Sequence, residues 1–337
     1  MKAAIKVGLS IVLRHKDSSL HIAAIVLLLI ALMNPKVTLQ RDLHNYLLVA
    51  DVTQSMNVED MTLNGKTVTR MAYTRHLMHD AVAGLPCGTY VSLGVFSAVN
   101  IALLYTPIEV CANYDVIQDS IEHLEWRMAW HGNSRIRFGM QSATAILQSL
   151  PTPAQLVFFT DGDEAPRLNA INKTDLSNWQ GGSGWLLIGV GGDEPLPVPK
   201  FDSEDRIMGY WSMNAMKVEP SQVLAEESTG TRDDSIATDD NDRYLSHLDE
   251  PYMRELAVEV NATYLRASDI GAGDSGKLLD AMRAQKAAAS DSTRIAIDWL
   301  LISLAGMLLL ASYWPSLMTA LSRYRAKAVI AKRSGQV

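Results

Sequence analysis

The sequence predicts a doubly wound α/β domain with a mostly parallel sheet, one antiparallel edge hairpin, and transmembrane helices at both chain ends. Three observations carry this. Short apolar runs alternate with helix-period segments, as buried parallel strands and their crossover helices require. Two strand-like runs lie back to back around "AVN", and the apolar excess sits at the two termini. The chain has 337 residues, 48% apolar and 20% charged, with a formal charge of −7. That composition argues against disorder, and the acidic balance argues against nucleic-acid binding, which needs a basic face.

Residues 1–40 read as a cytoplasmic N-terminus and an anchor. Leu20 to Met33 is an apolar run that spans only if its flanks reach the interface. A cleaved signal peptide competes with it, but no small-x-small site follows at "MNPKVT"; a short hairpin using Met1 to Leu13 is a further alternative. Residues 291–316 hold the second span, Ile295 to Trp314, whose one charge, Asp298, lies near its start. At about 1.5 Å per residue this run matches a hydrocarbon core of roughly 30 Å. Lys2, Lys6, Arg14 and Lys16 precede the first run, and the basic tail 317–337 follows the second, so both termini are expected in the cytoplasm. The centre of the chain then faces the periplasm of a bacterium.

Within residues 41–290, Asn45 to Ala50 is a buried strand ending on Asp51, and a looped stretch with "NGK" follows. Thr69 to Leu85 carries helical spacing and stops at Gly84 and Pro86. Tyr90 to Ile108 forms the hairpin. Cys87 and Cys111 are equidistant from Val99, so they face each other across its open end; a disulfide is expected in an oxidising compartment, with two buried thiols as the alternative. Helices follow at Tyr114 to Trp126 and Ile136 to Leu150, then strands at Leu156 to Phe159 and Trp185 to Val190. Three prolines and an acidic run mark about 193–248 as a long excursion, partly mobile and poor in core residues. A solvated surface explains that acidic run better than Ca²⁺, because "DDND" lacks the loop spacing. A helix through Val260, the strand "ATYLRA" and a helix from Gly276 to about Ala287 complete the domain.

The chemistry gathers where strands end. Asp51, Thr53 and Ser55 leave the first strand as D-x-T-x-S, and Thr160, Asp161 and Gly162 leave another as T-D-G. Ser134, in "HGNSRI", opens the helix between them. Asp51, Thr53, Ser55, Ser134 and Asp161 make an all-oxygen set that suits Mg²⁺ above all, with Ca²⁺ or Mn²⁺ as alternatives, and not Zn²⁺. The plain alternative is that Asp51, Ser55 and Asp161 merely cap the segments that follow them.

These motifs resemble the von Willebrand factor A domain and its metal-ion-dependent adhesion site, D-x-S-x-S with a middle-loop Thr and T-D-G. Thr53 replaces the first Ser and Ser134 replaces the Thr, and both keep the hydroxyl. The resemblance implies that the hydroxyls ligate the ion, that Asp51 and Asp161 act largely through waters, and that an open position takes an acidic side chain from a protein partner. "GVGGDEPLPVP" and "MRELAVEVNATYLRA" are similar to membrane-anchored bacterial members of the Bat type and to the Mxa accessory proteins of methanol oxidation. "GYW" at Gly209 to Trp211 leans toward the Mxa group, which works beside a MoxR-type ATPase and other membrane proteins with this domain. The implied role is a non-enzymatic interaction module in the inner membrane, an assembly factor for a periplasmic complex such as methanol dehydrogenase. A Bat-like envelope-stress or aerotolerance factor is the alternative. A phosphotransferase of the haloacid dehalogenase type, with Asp51 as nucleophile, needs a Lys that is missing between Lys66 and Lys173. His76, His79, His123 and His131 read as surface or helix residues.

Overall fold

The structure, a computed structural model, describes residues 16–130, 134–170, 173–176, 182–215, 234–270, 275–285 and 287–314. The chain splits into a terminal unit, Met1–Arg41 with Asp291–Val337, and a central unit, Asp42–Ser290.

The central unit begins with strand β1 (Tyr46–Asp51), a short hairpin of β2 (Glu59–Leu63) and β3 (Lys66–Thr69), and helix α1 (Arg70–Ala83). The edge hairpin β4 (Tyr90–Ser97) and β5 (Asn100–Glu109) follows, then α2 (Tyr114–Glu122), α3 (Ile136–Ser149), β6 (Gln155–Thr160) and β7 (Leu186–Gly189). The excursion holds β8 (Leu196–Pro197), β9 (Pro199–Phe201), β10 (Ile207–Tyr210) and β11 (Leu245–Ser246). The chain returns through α4 (Glu250–Val260), β12 (Thr263–Arg266), α5 (Ala267–Ile270) and α6 (Ser275–Ala284).

Six strands form one sheet in the order β12-β7-β6-β1-β4-β5. Every pairing is parallel except β4 with β5. β1 is buried along its whole length because the sheet is covered on both faces. Its side chains alternate accordingly: Tyr46, Leu48 and Ala50 pack with Met71, Leu77 and Met78 of α1, Ile117 of α2 and Met282 of α6. Leu47 and Val49 meet Ile136 and Met140 of α3 and Met253 and Leu256 of α4 on the other side. Each such fully buried side chain contributes roughly 1.5–3 kcal/mol, and a one-residue slip of β1 would exchange the two sets.

The stretch read as a loop is the β2–β3 hairpin. Asn64 and Gly65 both take positive φ, 51° and 77°, the two-residue turn that Asn-Gly favours. In the edge hairpin the turn falls between Ser97 and Asn100, register irregularities follow at Val91 and Leu93, and Cys87 and Cys111 are joined as a disulfide with Cα atoms 5.2 Å apart. The excursion carries more structure than its composition suggests. β8 pairs with β11 and β9 with β10, and Val198, Trp211 and Tyr244 build a small core onto Val58. Residues 216–233 of it lie outside the described residues.

In the terminal unit, strands Lys36–Leu43 and Ala289–Ala296 pair as a ribbon, and helices occupy Lys16–Leu32 and 298–314. The His21 and Tyr313 rings meet edge to face at 5.4 Å, and Ala24, Ala31 and Ala305 are buried. Among the described residues no helix is long and apolar enough to cross a membrane, which corrects the expectation of two visible spans. The basic tail 317–337 and the segment Met1 to Leu13 lie outside the described residues.

Candidate metal centre

β1 and β6 are neighbours in register, with Ala50 opposite Phe159, so Asp51 and Thr160 leave the sheet side by side. The Thr160 hydroxyl donates to Asp51 Oδ2 at 2.7 Å. Asp51 Oδ1 accepts from the Thr53 amide at 2.9 Å and the Thr53 hydroxyl at 2.6 Å. Thr53 Oγ1 in turn lies 3.3 Å from Ser55 Oγ. The D-x-T-x-S spacing thus folds its three oxygens into one turn, because a strand ending on Asp51 and followed by a short 3₁₀ turn, Gln54–Asn57, brings alternate side chains back over the strand end.

Ser134 comes to the same edge by another route. Its amide donates to Ala165 O at 3.0 Å and its carbonyl accepts from Ala165 N at 2.8 Å, while Arg135 N donates to Ala98 O at 2.7 Å. Ala98 follows β4 and Ala165 follows β6, and β1 lies between those strands, so the Ser134 segment crosses the end of β1 above Asp51. Among the described residues, Ser134 Oγ is buried without a hydrogen-bond partner. An orphaned buried hydroxyl costs about 1–3 kcal/mol and calls for a missing partner.

Asp161 completes the set from the other side. Its Oδ1 accepts from the Asp163 amide at 3.0 Å and its Oδ2 from Arg70 Nη1 at 2.7 Å. Arg70 is fully buried and forks onward to Asp60 and Ser246. All five residues named from the sequence are therefore gathered at the carboxyl end of the sheet, and all are buried, Ser55 being the most exposed at 7%.

The electrostatics are unbalanced in the direction of a cation. Asp161, fully buried, and Asp60, half-buried, share the guanidinium of Arg70, while Asp51 is fully buried and hydrogen-bonded to Thr53 and Thr160. Burial first, and then the Asp161 charge, push the Asp51 carboxyl up to about 7 against its hydrogen bonds from Thr53 and Thr160. Asp163 is driven up to about 7 by the same two causes. A divalent ion would relieve both, and the residues fit one: hydroxyl and carboxyl oxygens from three loops, with one hydroxyl lacking any other partner. Among the described residues three carboxylates do not converge on one point here, so hydroxyls must supply part of the shell; Cys87, Glu109 and Cys111 do converge, but those sulfurs are already bonded to each other.

Several participants escaped the sequence reading. Arg70 opens α1, where the helix dipole disfavours a cation; that misplacement was its one signal. Glu164, three residues beyond Asp161, accepts from Tyr252 Oη at 2.6 Å and Arg137 N at 3.3 Å, and burial raises it to about 7. It joins α3 to α4 beside a cleft of about 410 Å³ lined by Asp163, Arg167, His247 and Asp249 among others. His76, His79 and His123 pair with carboxylates of α1 and α2, as surface residues do; His131 lies outside the described residues.

Residues 46–164 match the family model of the von Willebrand factor type A domain. No curated protein matches the chain. Solved structures similar to it include an aerotolerance-related membrane protein from Bacteroides fragilis, 16% identical with a TM-score of 0.47, over 72% of this chain and 98% of that one. BatB from Bacteroides thetaiotaomicron is 14% identical with a TM-score of 0.46, over 72% and 100%. A membrane spanning protein from Vibrio fischeri is 16% identical with a TM-score of 0.27, over 72% and 98%.

Proposed function

We propose that this chain is a non-enzymatic, cation-dependent protein-binding module. Asp51, Thr53, Ser55, Ser134 and Asp161 would hold a divalent cation, Mg²⁺ first among candidates, and a partner's carboxylate would complete its shell. The buried, partnerless hydroxyl of Ser134 is the observation that carries this reading. An ion ligated by few direct protein charges stays electrophilic and attracts an external anion.

The outward apolar side chains of the terminal helices, such as Leu32 at 84% and Leu310 at 69% exposed, support an attachment to the inner membrane with both chain ends cytoplasmic and the central unit periplasmic. The role is then that of an accessory or assembly factor for an envelope complex. Capture of partners by the full-length chain, in Mg²⁺ and in EDTA, with wild type and Ser134→Ala, tests it. One partner lost in both perturbations supports the reading; retention of every partner in EDTA would end it. The identity of that partner decides between methanol dehydrogenase assembly, with a MoxR-type ATPase nearby, and a Bat-like envelope role.

A further inference from the structure

We propose that Arg70 is a positioning residue that sets which divalent cation the site accepts, favouring Mg²⁺ over Ca²⁺. This rests on the reading that the site holds a divalent cation. Arg70 Nε donates to both Asp60 oxygens, at 3.1 and 3.0 Å, and Nη2 donates to Asp60 Oδ2 at 2.7 Å and to Ser246 O at 3.2 Å. Nη1 donates to Asp161 Oδ2 at 2.7 Å, to Ser246 Oγ at 2.8 Å and to Ser55 O at 3.4 Å. The Asp60 anchor is itself fixed, since Asp60 Oδ2 also accepts from Gly192 N at 2.8 Å.

The guanidinium is thus clamped from the β2 hairpin, the D-x-T-x-S turn and the excursion strand β11, and it holds one Asp161 oxygen. The other Asp161 oxygen already accepts from the Asp163 amide, and both Asp51 oxygens are likewise engaged. With a guanidinium nitrogen beside Oδ2 and an amide on Oδ1, the Asp161 carboxylate is held in one orientation, and turning both oxygens on to one ion means giving up the charge-assisted bond to Arg70. Ca²⁺ wants six to eight oxygens and uses two-oxygen carboxylates readily, whereas Mg²⁺ keeps several waters and takes only one or two carboxylates. A site whose carboxylates are pinned therefore admits the smaller, water-carrying ion. Removing the clamp would free Asp161 to turn both oxygens inward, a change that helps Ca²⁺ more.

The test is calorimetric titration of the full-length chain with MgCl₂ and separately with CaCl₂. The variants are Arg70→Lys, which keeps the charge and loses the fork, and the pair Arg70→Met with Asp60→Asn, which avoids leaving Asp60 unpaired. Wild type is expected to bind Mg²⁺ more tightly than Ca²⁺. The ratio of the two dissociation constants should move toward Ca²⁺ by about tenfold in the double variant, the scale of one charge-assisted hydrogen bond, and by less in Arg70→Lys. A merely structural Arg70 would weaken both ions alike, and an unmoved ratio in either folded variant would overturn the proposal while leaving the cation site standing. Wild type that binds neither ion would overturn both.

Discussion

Replacing Asp51 by Asn should raise stability without metal and lose most of that advantage when metal is present. The unfolded chain ionises this group near its ordinary value of 3.8, while the metal-free fold holds the proton until about 7. Between those limits the folded state binds more protons than the unfolded one, so metal-free stability falls as pH rises from about 4 to about 7 and stays low above. With about 1.4 kcal/mol for each tenfold change in a protonation equilibrium, the ionised carboxylate costs on the order of a few kcal/mol at pH 8. Asn keeps the shape and can still accept from Thr53. Its amide can donate to Thr160 Oγ1, which already accepts from Gly162 N. In EDTA at pH 8 the variant should therefore melt higher than wild type, by about 5–10 °C at the 2–4 °C per kcal/mol usual for a domain of this size. In Mg²⁺ at a thousand times its dissociation constant that advantage should be largely cancelled, because wild type gains about 4.1 kcal/mol and the variant does not. Thermal unfolding of the full-length chain by circular dichroism reads both arms. Equal destabilisation of the variant in EDTA and in Mg²⁺ would show that Asp51 is only a structural cap, and the electrostatic reasoning would fail.

Glu164→Gln should flatten part of the same pH dependence, because burial raises Glu164 to about 7 as well, yet leave the Mg²⁺ response intact, as seen by melting at pH 5 and 8 with and without the ion. Reduction of Cys87–Cys111, or Cys111→Ser, should lower stability by about 3.5 kcal/mol on loop entropy alone, given the sequence separation of 24; chemical denaturation with and without dithiothreitol measures it. Gly162→Ala should cost about 1–3 kcal/mol, since φ is +75° there and an added Cβ would lie 2.7 Å from Met253 Cγ. The shifted loop would also blunt the Mg²⁺ response in the same melting assay.

The parallel sheet was legible because its strands are buried on both faces and so read as unbroken apolar runs, Leu47 to Ala50 and Leu156 to Phe159. Local turn chemistry was legible in principle and overlooked: Asn64-Gly65 between "TL" and "KTVT" is a hairpin signal that the short, half-exposed strands β2 and β3 were too polar to reinforce. The excursion misled through composition. Its acidic run is solvated as expected, but Val198, Trp211 and Tyr244, scattered over nearly fifty residues, find one another only because the chain returns upon itself to Val58. No window-based pattern carries contacts of that separation.

The site divides along the same line. Asp51, Thr53 and Ser55 announce themselves because three oxygen-bearing side chains sit within five residues, and T-D-G repeats the pattern at the neighbouring strand end. Ser134 is visible only through its place before a helix, and what distinguishes it, a hydroxyl with nothing to bond, is a property of the folded surroundings. Arg70 is the limiting case. Its partners Asp60, Asp161 and Ser246 lie 10, 91 and 176 positions away, so neither spacing nor charge pattern could assemble them. A cation in the first turn of a helix opposes the dipole there, and it persists only where carboxylates outweigh that cost. An arginine at such a position is thus a pointer, readable from sequence, to buried acids gathered at the helix start.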